Sequence, residues 1–159
     1  MKDVDKLHSL YSGNYGQFLK FVTQSRGAFL AARLKAAMDG IGCNKDLVNE
    51  IFCLSSTAEI NAMKTSFEAA RDKSLADRLR SELSGEHEKL IIHLLTRGRG
   101  EGPANQAQAE AQAKDLQQVI KNGSGMMGGL KEAACIKVFE ILCGASPDQC
   151  IAIKGTVFI

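Results

Sequence analysis

A loop with two glycines, taken together with a distant acidic residue, is where this sequence could bind a metal ion. Residues 38–42 (Met-Asp-Gly-Ile-Gly) separate two helical patterns, and Glu82 follows 40 residues after Gly42. Glycine lets the backbone curl so that successive carbonyl oxygens point into one small space. Calcium takes six to eight hard oxygen ligands, commonly carbonyls, a bidentate carboxylate and waters. The carbonyls of Met38, Gly40 and Gly42 with the carboxylate of Glu82 could therefore hold calcium. For the loop alone, the alternative is that its glycines only permit a tight turn between helices.

The chain also contains internal repeats. Residues 5–13 and 77–85 are identical at five of nine positions, and residues 50–53 and 140–143 share the pattern Glu-Ile-x-Cys. The second pair is separated by more residues than the first because a segment rich in Gly, Ala and Gln, at about residues 98–112, lies between its members. A helical unit that recurs at this scale indicates a stacked or pseudo-symmetric array.

Composition limits the classes of function. The chain has 159 residues, of which 45% are hydrophobic, and this suits one compact domain or two small units sharing a core. A net charge of +2 creates no global field that would drive nucleic-acid binding. None of the five cysteines forms a CxxC pair, and the apolar settings of Cys53 and Cys143 predict reduced core residues in a cytosolic protein. No signal peptide and no apolar run of about 18 residues is present, so we expect any membrane contact to be peripheral.

Hydrophobic periodicity predicts helices and no convincing strand. Asn44 is the predicted N-cap of the helix after the glycine loop, and Thr57 the predicted N-cap of the next one. Between these caps, Leu47, Val48, Ile51, Phe52 and Leu54 are predicted to form a buried stripe. The predicted helices cover about residues 4–11, 15–24, 29–38, 45–54, 57–70, 75–83, 86–96, 109–121 and 130–143, with a last helix that starts at Pro147.

Two segments resemble the annexin repeat, a unit of five helices (A to E) arranged in a right-handed superhelix. Residues 29–42 (Phe-Leu-Ala-Ala-Arg-Leu-Lys-Ala-Ala-Met-Asp-Gly-Ile-Gly) match helix A and the AB loop. Residues 77–90 (Asp-Arg-Leu-Arg-Ser-Glu-Leu-Ser-Gly-Glu-His-Glu-Lys-Leu) match helix D, the DE loop and the start of helix E. The resemblance implies an all-α fold with one complete and two partial repeats. The implied ranges are 1–27 for a D-E part, 28–97 for the complete repeat, 98–112 for a linker and 113–159 for an A-B-C part.

The same resemblance implies which residues bind calcium. The type II calcium ligands of the family fall on the carbonyls of Met38, Gly40 and Gly42 and on the carboxylate of Glu82. A weaker, type III-like site would use a carbonyl near Leu83 and the side chain of Glu88, although an exposed glutamate on a helix often only faces water. Ile41, between the glycines, could insert among lipid headgroups or pack on the neighbouring helix.

Several residues depart from the annexin pattern. Asp39 stands where the family has a basic residue, which removes a favourable contact with anionic headgroups, and Cys43 replaces a threonine hydroxyl. In the first partial repeat, Leu10 and Gly16 occupy the places of Glu82 and Glu88, so that repeat offers no acidic ligand. In the last partial repeat, residues 122–129 (Asn-Gly-Ser-Gly-Met-Met-Gly-Gly) do not reproduce the calcium loop. The sequence therefore predicts one competent site.

The function implied by the resemblance is calcium-dependent binding to acidic phospholipid membranes, by a cytoplasmic protein that becomes a peripheral membrane protein when calcium is present. An enzyme is not expected, because His8, His87 and His93 lack metal-ligand spacing and nucleophile partners. The pattern G-x-G-x-x-G at residues 123–128 lacks the preceding strand that a dinucleotide site needs.

The alternative function is a structural module associated with the cytoskeleton, similar to divergent annexin relatives such as the α-giardins, with little calcium-dependent lipid binding. Such a module would have a cytoskeletal partner. Self-association is also expected, because the partial repeats leave apolar side chains without their usual cover. These side chains are Phe18, Leu19, Val22, Val138, Ile141, Leu142, Ile151 and Ile153.

Overall fold

The computed structural model of the chain describes residues 10–70, 74–123 and 130–157, and within these ranges the regular elements are α-helices. The all-α prediction is therefore confirmed. The predicted helix at 4–11 and the glycine-rich segment at 123–129 lie largely outside the described residues. The helices are α1 (Gly13–Thr23), α2 (Arg26–Met38), α3 (Lys45–Leu54), α4 (Thr57–Ala69), α5 (Leu75–Glu82), α6 (Gly85–Arg97), α7 (Gln106–Gly123), α8 (Glu132–Gly144) and α9 (Pro147–Val157).

Short polar side chains begin several of these helices. The side chain of Asn44 accepts a hydrogen bond from the amide of Leu47 at 3.0 Å, which confirms its predicted role as the N-cap of α3. The prediction that Thr57 caps α4 is wrong, because Ser56 is the N-cap and forms a capping box with Glu59. The hydroxyl of Thr57 instead bonds to the backbone of Arg99, donating to its carbonyl at 3.0 Å and accepting from its amide at 2.9 Å. Thr57 therefore ties the segment after α6 to the start of α4.

Helices α2 to α6 surround one hydrophobic core. Helix α2 packs most extensively against α4, and Gly27 permits their close approach, since a Cβ at this position would lie 2.7 Å from the carbonyl oxygen of Ala62. Each fully buried aliphatic or aromatic side chain contributes roughly 1.5–3 kcal/mol of transfer free energy. The largest of these side chains are Phe52, Leu34, Met38, Ile60, Met63, Leu75, Leu79, Ile91, Leu94 and Val48.

The buried stripe predicted for α3 is correct only in part. Val48, Ile51 and Phe52 are buried, whereas the side chain of Leu54 is 72% exposed. Leu54 follows Phe52 by two residues, and a helix turns by about 200° over that distance, so the two side chains point to opposite faces. Cys53 is also exposed, so its predicted core position is wrong, while Cys143 is buried as expected.

Helices α7 to α9 form a smaller second core. Helix α7 begins at Gln106, so residues 106–112, which the sequence assigned to a linker, are helical. Ala109 and Ala113 present a small-residue surface on α7, against which Ile153 of α9 is buried. Ile153 therefore does not lack cover, and Val138 and Ile141 are partly buried against this second core as well.

Helix α8 connects the two parts. The buried side chain of Cys143 belongs to the first core, and Nζ of Lys89 on α6 lies 2.8 Å from Oε1 of Glu132 at the start of α8.

Other apolar side chains remain exposed, as the sequence indicated. On α1, Phe18 and Val22 are exposed and Leu19 is partly exposed, and Leu142 and Ile151 are exposed on α8 and α9. Self-association through such surfaces stays a prediction, which light scattering would test.

Candidate calcium site

The loop between α2 and α3 has a backbone conformation that requires glycine. The φ angles of Gly40 and Gly42 are +100° and +87°, in the region that L side chains rarely adopt. A Cβ would meet nothing within 4 Å at either position, so backbone conformation and not space selects glycine here. The amide of Asn44 donates to the carbonyl of Ala37 at 2.8 Å and closes the loop.

The tip of this loop carries an exposed aliphatic side chain. Ile41 lies between the two glycines and is fully exposed, at 111% of the reference area. It does not pack on a neighbouring helix in the described part of the chain, which was the alternative raised from the sequence. A fully exposed isoleucine side chain lacks the stabilisation that burial would give. Its burial against a partner surface would therefore be favourable.

The last residue of α5, Glu82, is brought to the end of α2. Its side chain is 17% exposed, and Oε1 lies 2.9 Å from Nη2 of Arg78, one helical turn earlier. The same Nη2 donates a hydrogen bond to the carbonyl oxygen of Met38. The carbonyl of Met38 and the carboxylate of Glu82, two of the predicted ligands, therefore converge on one cationic nitrogen atom.

The packing around this point holds both predicted ligands in place. Met38 is buried in the first core, and so are Leu75 and Leu79, whose side chains anchor α5. The amide of Leu83 closes the end of α5 by donating to the carbonyl of Leu79 at 2.9 Å. A predicted ligand therefore projects from each of two well-packed helix ends and not from a free loop.

The pKa of Cys43, at the end of the loop, depends in part on the charge of Glu82. Burial raises the pKa of the Cys43 thiol, the negative charge of Glu82 raises it further, and Lys45 and Arg78 lower it. Cys43 is thus neutral at physiological pH and close enough to Glu82 to sense its charge. A neutral thiol is a poor ligand for a hard cation, so the oxygen atoms remain the candidate donors.

The other predicted site residues are placed as follows. Gly40 and Gly42 lie in the loop, and no hydrogen bond engages their carbonyl oxygens among the described residues. The carboxylate of Asp39 lies 3.4 Å from Nζ of Lys35, so the extra acidic charge of the loop is paired. Leu83 is the C-cap residue that follows α5, and Glu88 lies in the first turn of α6, where its side chain forms no ion pair in the part of the chain that is described. A site formed by Leu83 and Glu88 stays a prediction.

Side chains alone do not assemble a metal site in the described ranges. No group of three His, Cys, Asp or Glu residues is placed to hold an ion there, so a metal at this loop requires backbone oxygens.

Nε2 of His87 lies 2.7 Å from Oδ1 of Asn49, an interaction that joins α6 to α3. Among the described helices, none is both long and apolar enough to cross a bilayer.

One residue of the candidate site, Arg78, was not predicted from the sequence. Its position four residues before Glu82 on a helix is the signal that could have found it, because side chains at this spacing lie on the same helix face. Sequence alone does not show that the guanidinium also reaches Met38, which belongs to a different helix.

Comparisons with known proteins agree with this fold. The family model described as Annexin matches residues 29–94. Annexin A6 of Rattus norvegicus is 29% identical over 140 residues, which cover 88% of this chain and 21% of that protein. The structure of annexin III has a TM-score of 0.81 and 25% identity, covering 97% of this chain and 46% of that chain.

A calcium-bound structure also shares the fold. The crystal structure of calcium-bound annexin (Sm)1 has a TM-score of 0.80 at 22% identity, covering 98% of this chain and 46% of that chain. The chain thus spans about half the length of these solved structures, and a smaller share of annexin A6. The matching family model, these relatives and these solved structures are all annexins, and together they support an annexin-family protein.

Proposed function

We propose that this chain binds calcium at the α2–α3 loop and attaches to acidic phospholipid through the bound ion. Annexins generally bind phospholipid in a calcium-dependent way. The proposed ligands are the carbonyls of Met38, Gly40 and Gly42 and the carboxylate of Glu82. The observation that carries the proposal is the convergence of the Met38 carbonyl and the Glu82 carboxylate on one cationic nitrogen.

The donor set fits calcium better than it fits a transition metal. All four proposed donors are hard oxygen atoms, and one of them carries a negative charge. These groups supply fewer than the six to eight ligands that calcium takes. When bound, the ion would accept oxygen atoms from water or from a lipid phosphate at the remaining positions. The chain and the membrane would then share the ion.

The exposed side chain of Ile41 supports contact with a membrane. It lies at the tip of the same loop that carries the proposed carbonyl ligands, so an ion that holds a headgroup would bring it to the interface. The basic charge beside the loop is small, because Lys35 is paired with Asp39 and Lys45 is the one basic residue that directly follows the loop in the chain. We therefore expect weak membrane affinity without calcium, and peripheral attachment to cytoplasmic membrane surfaces when calcium is present.

The boundaries of the repeats are part of the same proposal. We assign residues 26–97 to the complete repeat, with α2 to α6 as helices A to E, because α2 begins at Arg26 and not at residue 28, and we assign the residues before 26 to the end of the preceding repeat. Because α7 begins at Gln106, we shorten the linker to residues 98–105 and assign α7 to α9 to helices A to C of the following repeat.

Vesicle pelleting tests the function. Wild-type protein, Glu82→Gln and the control Glu101→Gln are mixed with vesicles of phosphatidylserine and phosphatidylcholine, in excess calcium and in EGTA. Glu101 is an exposed carboxylate between α6 and α7, far along the chain from the loop. We expect wild type and Glu101→Gln to pellet with the acidic vesicles only in calcium, and Glu82→Gln to remain in the supernatant.

Two results would contradict the proposal. Equal calcium-dependent pelleting of Glu82→Gln and wild type would place any ion elsewhere. If wild type fails to pellet with any acidic vesicle in calcium, the alternative, a structural module associated with the cytoskeleton, becomes the better account.

A further inference from the structure

We infer that Arg78 competes with calcium for the proposed site, so that the ion binds only after the guanidinium has left. This inference rests on the proposed calcium site and concerns its regulation. Nη2 of Arg78 donates to the carbonyl of Met38 and lies 2.9 Å from Oε1 of Glu82. The guanidinium thus uses the same two oxygen atoms that the ion would require.

The contact is well suited to hold the ligands in the absence of calcium. The side chains of Arg78 and Glu82 are only 30% and 17% exposed, so water screens this pair less than a fully exposed one. Hydrogen bonds between a guanidinium and a carboxylate are charge-assisted and stronger than neutral ones. Arginine is always charged in proteins, so the competing cation is present at every physiological pH.

Other cations near the loop do not make this contact. Nη1 of Arg80, on the same helix, lies 3.2 Å from Oδ1 of Asp77, and Lys35 pairs with Asp39. In the described part of the chain, Arg78 is the cation that contacts proposed calcium ligands. The competition therefore depends on one residue, and a nearby arginine provides a matched control.

Displacement of Arg78 has two consequences for calcium affinity. The ion must replace two charge-assisted hydrogen bonds, and afterwards a positive charge remains on the helix that carries Glu82. Both effects weaken binding, and we expect them together to lower calcium affinity by about tenfold, because water screens the displaced charge. The site would then respond to calcium only at higher concentrations than the same oxygen atoms would without Arg78.

Calorimetric titration with calcium chloride tests this inference on wild type, Arg78→Gln and the control Arg80→Gln. Both substitutions remove one positive charge from α5, and glutamine is a good helix former. We expect Arg78→Gln to bind calcium about tenfold more tightly than wild type, and Arg80→Gln to differ by less than about twofold, since that residue is more exposed and screened. Arg78→Met, which keeps an apolar stem, repeats the test if glutamine is poorly tolerated.

The outcomes separate this inference from the proposed function. If wild type binds calcium and neither neutral variant at position 78 binds it more tightly, the competition is wrong and the site stands. If only the variants at position 78 bind measurably, the competition is supported and the proposed function of the wild-type chain is contradicted. If wild type and the variants all fail to bind, the proposed function fails and the inference fails with it.

A second measurement needs no bound calcium. Urea unfolding in EGTA compares wild type, Arg78→Gln, Glu82→Gln and the double variant. If Arg78 holds Glu82 in the calcium-free protein, the double variant should lose less stability than the two single losses combined. Strict additivity of the two losses would overturn the contact on which the inference depends.

Discussion

The side-chain amide of Gln149 in α9 pairs with both backbone groups of Asn105, the residue before α7. Its Oε1 accepts from the amide of Asn105 at 2.7 Å, and its Nε2 donates to the carbonyl of Asn105 at 3.3 Å and to Oε1 of Gln112 at 2.7 Å. Asn105 in turn caps α7, since Oδ1 accepts from the amide of Gln108 at 3.0 Å. One buried side chain thus holds the start of α7 against α9.

Replacement of this buried amide should destabilise the chain. Gln149 is 5% exposed, and Gln149→Leu leaves the amide of Asn105 and the side chain of Gln112 without their partner. We expect a loss of about 2–3 kcal/mol in the free energy of unfolding, measured with urea. Gln117→Ala on the exposed face of α7 should change it by less than about 0.5 kcal/mol. A loss below about 0.5 kcal/mol for Gln149→Leu would mean that water replaces the amide hydrogen bonds at little cost in free energy.

The glycines of the proposed calcium loop should tolerate alanine poorly. At φ values of +100° and +87°, Gly40→Ala or Gly42→Ala should each cost about 1–2 kcal/mol and weaken calcium binding by misplacing the carbonyls. The control is Gly155→Ala in α9, where a Cβ meets nothing within 4 Å and alanine favours a helix by about 1 kcal/mol. Chemical denaturation measures all three variants, and equal effects at Gly40 and Gly155 would contradict the backbone argument.

Two apolar residues on α3 should differ sharply in their contributions to stability. Phe52 is 0% exposed, so Phe52→Ala should cost about 3–5 kcal/mol through lost burial and a cavity. Leu54→Ala, two residues later on the opposite face, should change the free energy of unfolding by less than about 0.5 kcal/mol. Thermal or urea unfolding distinguishes these values easily. A large loss for Leu54→Ala would indicate that association covers this face in solution.

Stability should also depend on the protonation of His93. Burial lowers the pKa of His93, the positive charge of Arg97 lowers it further, and Glu140 raises it. Because the unfolded chain then binds a proton more readily than the folded one, stability should fall as the pH falls from about 6.5 through the lower folded pKa.

A variant isolates this contribution. His93→Gln removes the titrating group and should flatten the pH dependence of the urea midpoint in this window. An unchanged slope in the variant would assign the effect to other groups.

Local features of this chain follow from the sequence because they depend on neighbouring residues. Asn44 caps α3 through an amide three residues away, and the glycines at 40 and 42 mark the loop, since few other residues adopt positive φ. Helical periodicity placed α2 to α6 within a few residues of their observed ends. The fold class and the position of the candidate site could therefore be predicted.

Only the tertiary structure decided which of these local features meet. Leu54 does not lie on the side of α3 that faces the core, and Ile153 is covered by the small-residue surface of α7. Both outcomes depend on how the helices pack. The contact of Arg78 with the carbonyl of Met38 joins residues that are 40 positions apart. No local sequence pattern predicts this contact, because it depends on how α5 lies against the end of α2.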